Sequence, residues 1–504
     1  MLQLPAIFKL SRSEAQAFLI AGAISLIAKG AALFPFAYAS DTYVRILRPG
    51  LPPTPLSQGR FGQLILRNLF EAVGLVGPLP GTLYVAVALV CFLFVGIIIC
   101  RLWGITRNSC LMVSVMSIIA THPYQADIFT FGEFSFFMAV SLLLSFVAMH
   151  HAGHGMVRGV VAVGLLVAAL SLYQLVLNYV LMTLIFMLIF RVIPPGAGEP
   201  VRTWKDSLQD VRLVFRLSII VVSMACYWTI FRVSLYFFPE PLEGRTQIGG
   251  LGDLANRFRE VLDTFWLILG RDEPLMPVAL KVIFGGLLVT GLILVIGRFW
   301  KRNAPASALG AFGVIILIGM AFLMILGITL PLVVWWPVPR TLSAVSVFWA
   351  GTAAMVYLLL REKAQKGLLV LLTLVLFCFA GINNSVWFDQ LRVNMRDREM
   401  ANRIVVKLES QPSFSSSMKL AVIGGHWGYP LPIRTATGDM NISAFHSDWS
   451  KINLIREVSG YAFADCTTED IEVAKAYCER AAAWPHKLST AILFNNVGVV
   501  CLDH

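Results

Sequence analysis

Residues 82–100 read TLYVAVALVCFLFVGIIIC, an apolar run with no charged side chain. A helix needs about 20 apolar residues to cross the hydrocarbon core of a bilayer. Comparable runs recur as far as residue 384, and they predict about eleven transmembrane helices, at approximately 15–36, 82–100, 107–121, 134–150, 157–172, 174–192, 213–236, 277–298, 306–330, 341–360 and 367–384. We therefore expect an α-helical polytopic membrane protein.

The overall composition supports this fold class. Of the 504 residues, 57% are hydrophobic and 14% are charged, whereas charged residues make up about a quarter of a typical soluble domain. A formal net charge of +11 could indicate nucleic-acid binding. In so apolar a chain, however, basic residues more often flank membrane helices on the cytoplasmic side, so we interpret the charge as a topology signal.

The loops between the predicted helices give the orientation. If the N-terminus is cytoplasmic, every loop on the cytoplasmic side is basic, whereas the opposite loops around 122–133 and at 173 contain no Lys or Arg. Two loops on the outer side break this bias, and the first of them carries Arg45, Arg48, Arg60 and Arg67. The pattern predicts a multi-pass protein with Asp41 and everything after residue 384 outside.

The tail from residue 385 onwards differs in character from the rest. It begins with a charged segment, 389–408, that is typical of a helix, and continues with short apolar runs at 420–423, 491–494 and 497–501 that are typical of strands. We therefore predict two domains, a transmembrane domain at 1–384 and a small α/β domain at 385–504.

Three cysteines lie in this polar tail, Cys466, Cys478 and Cys501. They can form a disulfide if the tail is extracytoplasmic. A Cys466–Cys478 bridge is plausible, but three cysteines leave one over and the sequence does not decide the pairing.

Residues 251–269 show a different periodicity from the membrane runs. Leu254, Phe258, Leu262, Phe265 and Trp266 recur along one face at helical spacing, against polar residues on the other. This pattern predicts an amphipathic helix, either lying in the membrane interface or acting as a connector packed on the bundle.

Polar residues that could bind substrate or take part in a reaction follow the first predicted helix. Asp41 stands at the membrane boundary, where a carboxylate can act as a general base, and Tyr43 and Gln58 flank it with groups that could contact substrate. The guanidinium groups of Arg45 and Arg60 can bind a phosphate bidentately or interact with lipid headgroups. A helix-end acid that meets only headgroups and water is the simpler alternative for Asp41.

Further polar clusters fall on the same predicted face. Tyr124, Asp127 and Glu133 could contact sugar hydroxyls, orient catalytic groups or stay solvated. Tyr173 and Gln174, with Asn178, could contact substrate or hydrogen-bond one helix to another. His122 lacks a second His or Cys at ligand spacing, so we expect no metal site.

Trp336 and Arg340 lie together in the segment Trp335-Trp336-Pro337-Val338-Pro339-Arg340. Paired tryptophans at a membrane edge usually belong to the interfacial belt, although an aromatic ring can also stack on a sugar. Arg340 adds a further cation that could bind the phosphate of a donor substrate.

The order of these motifs resembles that of the bacterial glucosyl transferase type II family. The resemblance rests on Ser40-Asp41-Thr42-Tyr43-Val44-Arg45, Gln58-Gly59-Arg60, His122-Pro123-Tyr124, Leu172-Tyr173-Gln174, Pro339-Arg340, Asn383-Asn384 and the segment Phe388-Asp389-Gln390-Leu391-Arg392-Val393-Asn394. The chain departs from the family at one point, because the family often has two adjacent acids where this chain has Ser40-Asp41.

The resemblance implies a GT-C-like glycosyltransferase of the bacterial inner membrane. Such an enzyme moves a glucosyl group from a polyprenyl phosphate to lipopolysaccharide O-antigen at the periplasmic face, and the family's expected base corresponds to Asp41. The lipid-linked sugar is a co-substrate, so no cofactor is expected. A polyprenyl-phosphate glucosyl synthase and a flippase would supply the donor.

Other functions use the same residue types. A transporter or flippase of lipid-linked sugars would predict ionisable residues near midspan and related halves, but the polar clusters lie at one predicted face and no repeat is evident. Another GT-C transferase or an O-antigen polymerase is the second alternative. A single displacement needs only one base, so we expect inversion at the anomeric carbon without a required metal.

Overall fold

A computed structural model describes residues 7–34, 38–46, 54–75, 81–193, 204–241, 244, 247–300, 305–429, 432–493 and 496–502. Its helices are α1 Arg12–Lys29, α2 Ser40–Ile46, α3 Thr54–Ser57, α4 Phe61–Ala72, α5 Gly81–Trp103, α6 Ser109–Thr121, α7 Tyr124–Thr130, α8 Gly132–Ala152, α9 Met156–Leu172, α10 Val176–Val192, α11 Trp204–Asp210, α12 Leu213–Phe237, α13 Leu251–Leu269, α14 Val278–Trp300, α15 Pro305–Leu323, α16 Val345–Leu359, α17 Glu362–Glu409, α18 Asp448–Ser459 and α19 Thr468–Cys478. The strands are β1 Lys419–Ile423, β2 Thr490–Leu493 and β3 Val497–Cys501.

An apolar helix lies at each of the eleven predicted membrane segments. Among the described residues, six helical segments are long and apolar enough to cross a membrane: Arg12–Leu33, Gly81–Trp103, Gly132–Ala152, Leu213–Phe237, Val278–Trp300 and Glu362–Glu409. The other five, Ser109–Thr121, Met156–Leu172, Val176–Val192, Ala308–Leu323 and Val345–Leu359, are apolar but shorter. The helical membrane character is therefore confirmed, and the number of crossings stays a prediction.

Small side chains let α1 pack closely against the bundle. Ala17, Ala21 and Ala28 are fully buried and lie on one face of the helix. Small residues at this spacing allow two helix backbones to approach closely where no hydrophobic effect drives association. At the N-terminal end of α1, Glu14 accepts a hydrogen bond of 2.7 Å from Arg101 Nε at the end of α5, which fixes the two helices relative to one another.

The ninth predicted helix ends earlier than its apolar run. Helix α15 stops at Leu323, and a 3₁₀ turn follows at Gly327–Thr329. Asn178 of α10 binds this turn through three contacts, since its Oδ1 accepts from Ile328 N at 3.0 Å and its Nδ2 donates to the carbonyls of Ile325 and Leu326. Gly327 has a φ of +41°, and a Cβ there would clash with the Asn178 amide. Of the two roles left open for Asn178, the structure shows the interhelical one.

Helix α17 connects the membrane bundle to the C-terminal region without a break. Its 48 residues correspond to a length of about 72 Å, more than twice the hydrocarbon thickness of a bilayer. The predicted helix at 389–408 is confirmed as the second half of this element. The predicted domain boundary at 384/385 falls inside it and stays a prediction.

The C-terminal unit, which we define as residues 385–502, holds a three-stranded sheet in the order β1-β3-β2. Strand β3 is the central and fully buried strand, parallel to β1 and antiparallel to β2. A second hydrophobic core, separate from that of the bundle, joins this sheet to the second half of α17 and to α18. Tyr43 of α2 belongs to this core, so the short helix that carries Asp41 is packed on the C-terminal unit.

The disulfide differs from the one considered in the sequence. Cys478 pairs with Cys501, with their Cα atoms 5.4 Å apart, and Cys466 has a free thiol. The Cys466–Cys478 pairing is therefore wrong. The reason lies in the packing, because the C-terminal end of α19 lies beside the last residue of β3, which places Cys478 next to Cys501.

Helix α13 confirms the predicted amphipathic helix. On one face, Arg257 is buried and donates to the carbonyls of Leu332 and Val333, which ties the helix to the bundle. On the other face, Phe258 and Trp266 are exposed. The helix is thus packed on the bundle through one side, and its place in a membrane interface stays a prediction.

Candidate active site

A cavity of about 1520 Å³ lies between the membrane helices and the C-terminal unit. Eight of the twelve residues predicted to form the site line it: Asp41, Gln58, Arg60, Glu133, Tyr173, Gln174, Trp336 and Arg340. A volume of this size exceeds the usual range for small-molecule sites, which is about 300–1,000 Å³. It therefore has room for two substrates at once.

Asp41 lies in the first turn of α2 and is exposed to the cavity. Its Oδ1 accepts a hydrogen bond of 2.9 Å from the indole Nε1 of Trp449, a residue 408 positions later in the chain. No Lys or Arg of the described part of the chain forms an ion pair with Asp41. Among the described residues, the carboxylate is thus oriented by a neutral donor.

Tyr43 fixes α2 to α17 and does not line the cavity. Its side chain is buried, and its hydroxyl donates to Asn394 Oδ1 at 2.9 Å. Asn394 also accepts from the backbone N–H of Tyr38 at 2.7 Å, so one amide of α17 holds both ends of the segment around Asp41. Arg45 lies in the same helix, but its side chain is outside the described part of the structure.

Arg60 is held by aromatic rings at the cavity wall. Its guanidinium lies 5.0 Å from the ring centroid of Tyr173 and 5.9 Å from that of Phe134. Arg is well suited to this position because its planar cation stacks on an aromatic face and still presents several N–H donors. The packing fixes the direction of the side chain, and Tyr173 supplies the surface beneath it.

Gln174 and Gln58 fix the loop that carries Arg60. Gln174 Nε2 donates to the carbonyl of Gln58 at 3.1 Å and also contacts the hydroxyl of Tyr227 at 2.8 Å. That hydroxyl donates to the carbonyl of Gly59 at 2.9 Å. Gly59 has a φ of +74°, and a Cβ there would clash with Tyr227, so this turn requires glycine.

Arg340 joins the membrane bundle to the C-terminal unit. Its backbone N–H donates to Asp127 Oδ2 at 2.9 Å, and its Nη1 donates to Asp439 Oδ1 at 2.9 Å. The pKa of Asp127 is raised overall, because burial and the charge of Asp439 raise it by more than the nearby Arg340 lowers it. For Arg340, burial lowers the pKa of the guanidinium, but the carboxylates of Asp127 and Asp439 raise it above its ordinary value. The arginine therefore stays charged, and Asp127 acts through it rather than at the cavity.

Glu133 is paired with a cation that the sequence analysis gave no role. Arg67 Nε lies 2.8 Å from Glu133 Oε1, and both side chains are largely buried while lining the cavity. In the sequence, Arg67 is one of the arginines that make the first outer loop an exception to the charge bias. This excess of arginines was the signal for a cationic wall of the cavity.

Trp336 and Tyr124 end in different environments. Trp336 is 43% exposed and lines the cavity. Tyr124 is buried away from the cavity, and its hydroxyl donates to Glu273, which also binds Lys281 Nζ at 2.9 Å. Tyr124 therefore fastens the segment before α14 to α7.

The side of the cavity formed by the C-terminal unit was not predicted. It includes Asp439, His446, Trp449 and, from α17, Trp387. Asp439, His446 and Trp449 are far in sequence from the Asp41 motif and no local pattern marks them, whereas Trp387 directly precedes the motif that begins at Phe388. Among the described residues, no group of three or more His, Cys, Asp and Glu side chains could hold a metal ion, and a metal-free reaction stays a prediction.

Comparison with known proteins adds the chemical class. Searches of the curated proteins and of the solved structures gave no match to this chain. A scan against family models matched one described as Glucosyl transferase GtrII over residues 30–358. The match includes Asp41, Arg60, Asp127, Tyr173 and Arg340. This chain belongs to the glucosyl transferase GtrII family.

Proposed function

We propose that this glucosyltransferase moves a glucosyl group from a polyprenyl phosphate to lipopolysaccharide O-antigen at the periplasmic face of the bacterial inner membrane. The observation that carries the proposal is the carboxylate of Asp41, oriented by an indole N–H, in a cavity whose wall also holds Arg60, Arg67 and Arg340. An acid and several cations are the groups that this displacement requires.

The cavity wall formed by α12 supports a lipid-linked donor. Met224, Trp228 and Phe231 recur on one face of this helix and line the cavity beside the polar residues. An isoprenoid chain is apolar and its phosphate is anionic, so the donor would place its chain along this face and its phosphate near the arginines. Neither a soluble nucleotide sugar nor a free sugar would use such an apolar wall.

The reaction is a single displacement. The acceptor hydroxyl oxygen attacks the anomeric carbon of the glucosyl group, and the bond from that carbon to the phosphate oxygen breaks. The hydroxyl proton passes to Asp41, and the electron pair leaves with the polyprenyl phosphate. Arg60 and Arg67, with Arg340, stabilise the charge that develops on the departing phosphate. One displacement inverts the configuration at the anomeric carbon.

Two single-acid variants test this assignment. In proteoliposomes that contain a polyprenyl-phosphate glucose donor and O-antigen polysaccharide, Asp41→Asn should lower turnover by at least about 100-fold, the usual range for loss of a general base. Mass spectrometry of the acceptor measures the hexose increment. Asp263→Asn is the matched control, because Asp263 is an exposed acid of α13 that does not line the cavity.

Three results would contradict the proposal. Near-normal turnover in Asp41→Asn would remove the base assignment. Movement of the donor across the bilayer without any hexose increment would indicate a transporter instead. Transfer from a soluble donor but not from the lipid-linked one would reject the polyprenyl phosphate.

A further inference from the structure

We propose that the side of the cavity formed around Trp449 is the acceptor subsite, in which a pyranose ring stacks on the indole while the indole N–H orients Asp41. This inference rests on the proposed function and extends it to residues of the C-terminal unit. It starts from the chemistry of a general base, which must come within hydrogen-bond reach of the hydroxyl whose proton it takes. The acceptor sugar must therefore lie against whatever surrounds Asp41.

Trp449 contacts the Asp41 carboxylate. Its Nε1 binds Oδ1 at 2.9 Å, and Oδ2 accepts no hydrogen bond from the described residues. The second oxygen is thus available for the proton of an acceptor hydroxyl. The Trp449 side chain is 58% exposed and lines the cavity, so most of its ring is available for stacking. An aromatic ring with a polar N–H suits a sugar, which has an apolar face and polar edges.

Both partners of this contact are held in place. Beside Trp449 in α18, Ser450 Oγ donates to the carbonyl of Ala444 at 2.6 Å, and the buried Lys451 donates to the carbonyl of Gly424. On the other side, Tyr43 fastens α2 to Asn394. The hydrogen bond between Trp449 and Asp41 therefore joins two fixed elements, as a site that positions a base requires.

A second indole at the cavity wall belongs to Trp387. Trp387 of α17 is 8% exposed and lines the cavity, and its Nε1 has no hydrogen-bond partner among the described residues. Leaving a buried N–H without an acceptor is unfavourable, because its lost hydration is not replaced. A hydroxyl oxygen of the acceptor sugar would satisfy this donor. His446 adds an exposed polar side chain to the same side.

The donor groups lie in other segments of the chain. Arg60 and Arg67 come from the region of α4, and the apolar face comes from α12. The cavity thus draws the groups suited to a lipid phosphate from α4 and α12, and the base with its indole from α2 and α18. This separation predicts that Trp449 affects saturation by the acceptor and not saturation by the donor.

Steady-state kinetics in proteoliposomes test the inference, with one substrate varied and the other saturating. Trp449→Ala should raise the KM for O-antigen polysaccharide about tenfold, the equivalent of 1.4 kcal/mol, and should lower kcat. Trp449→Phe keeps an aromatic ring without the N–H, so kcat should fall about tenfold with a smaller change in that KM. The KM for the polyprenyl-phosphate glucose should stay unchanged in both variants.

Two controls separate this role from a structural one. Trp427→Phe alters an indole of similar exposure in the same unit that does not line the cavity, and its kinetics should match the wild type. Incorporation of 3-benzothienylalanine at position 449 replaces the indole N–H by sulfur at nearly constant shape, and it should reproduce the kcat loss of Trp449→Phe. If Trp449→Ala lowers the melting temperature, the 3-benzothienylalanine variant still tests the role of the N–H, because it keeps the shape of the side chain.

The outcomes distinguish this inference from the proposed function. An unchanged acceptor KM in Trp449→Ala, or a rise in the donor KM instead, would overturn the acceptor subsite while wild-type transfer still supported the function. Full kcat with 3-benzothienylalanine would overturn the orienting role of the N–H. Absence of glucosyl transfer by the wild type would reject the proposed function itself, and the inference with it.

Discussion

The charged residues on the two sides of the cavity have different kinds of partner. On the membrane side, Arg67 is paired with Glu133, and Arg60 is packed against aromatic rings. On the side of the C-terminal unit, the one hydrogen bond that Asp41 accepts through its side chain from the described residues comes from the neutral indole of Trp449. Paired and packed cations form a stable surface that can receive an anion, whereas an acid without a cationic partner stays available to accept a proton. The difference indicates a binding side and a reactive side.

Arg340 is the residue where the two sides meet, so replacing it should have the largest effect. Arg340→Ala leaves the buried Asp127 and the nearby Asp439 without their cation, and removal of one partner from a buried pair costs about 3–5 kcal/mol. We expect that loss of stability and a fall of about 100-fold in kcat/KM for the lipid-linked donor. Thermal unfolding and donor titration in detergent measure the two effects.

A double variant separates the two effects of Arg340. Arg340→Ala combined with Asp439→Asn removes one of the two carboxylates that contact Arg340, and it should recover part of the stability without restoring use of the donor. An unchanged dependence on donor concentration in Arg340→Ala would remove this residue from the phosphate site. Arg158→Ala, at an exposed arginine on the predicted cytoplasmic side, is the matched control.

The two sides also differ in how far the sequence could predict them. The membrane side could be predicted because its residues lie in short loops next to apolar runs, where an arginine such as Arg60 contrasts with its surroundings. The same contrast marked Asp41 and Arg340. Tyr43 and Tyr124 shared that local signal, yet both are anchors, because a motif gives the position of a residue and not the direction of its side chain.

The other side depended on contacts between distant segments. Trp449 and Asp439 lie in a part of the tail without a recognisable motif. They reach the site because α17 continues past the membrane segment and supports the C-terminal unit against α2. Helix and strand positions in the tail followed from periodicity. The pairing of Cys478 with Cys501 did not, since it depends on which strand lies beside the end of α19.

Breaking that disulfide tests whether the side of the cavity around Trp449 depends on the sheet of the C-terminal unit. The bridge joins positions 23 residues apart, and a disulfide across a loop of this size contributes about 3 kcal/mol. Cys478→Ala should therefore lower the stability of the C-terminal unit by that amount. It should raise the KM for the acceptor more than the KM for the donor. Cys466→Ala is the control, because Cys466 is not bridged. An equal loss in the control would indicate a different pairing.

The smallest expected effect concerns Asp397, which lies in the part of α17 beyond the predicted membrane segment. Burial raises the pKa of Asp397 from 3.8 to about 6, although Ser443, Ala444 and Tyr429 donate to its carboxylate. The folded protein therefore retains a proton between these two pH values that the unfolded chain has released, so stability falls as the pH rises through this interval.

Between pH 5 and pH 7 this dependence amounts to about 1 kcal/mol, and above pH 7 Asp397 should contribute no further slope. Asp397→Asn should remove that part of the pH dependence while lowering stability at every pH, since an amide is a poorer acceptor for three donors. Unfolding of the C-terminal unit followed across this pH range in both proteins measures the difference. A slope of the opposite sign would mean that the hydrogen bonds outweigh burial, and that the unit which positions Asp41 is held by a fully charged Asp397.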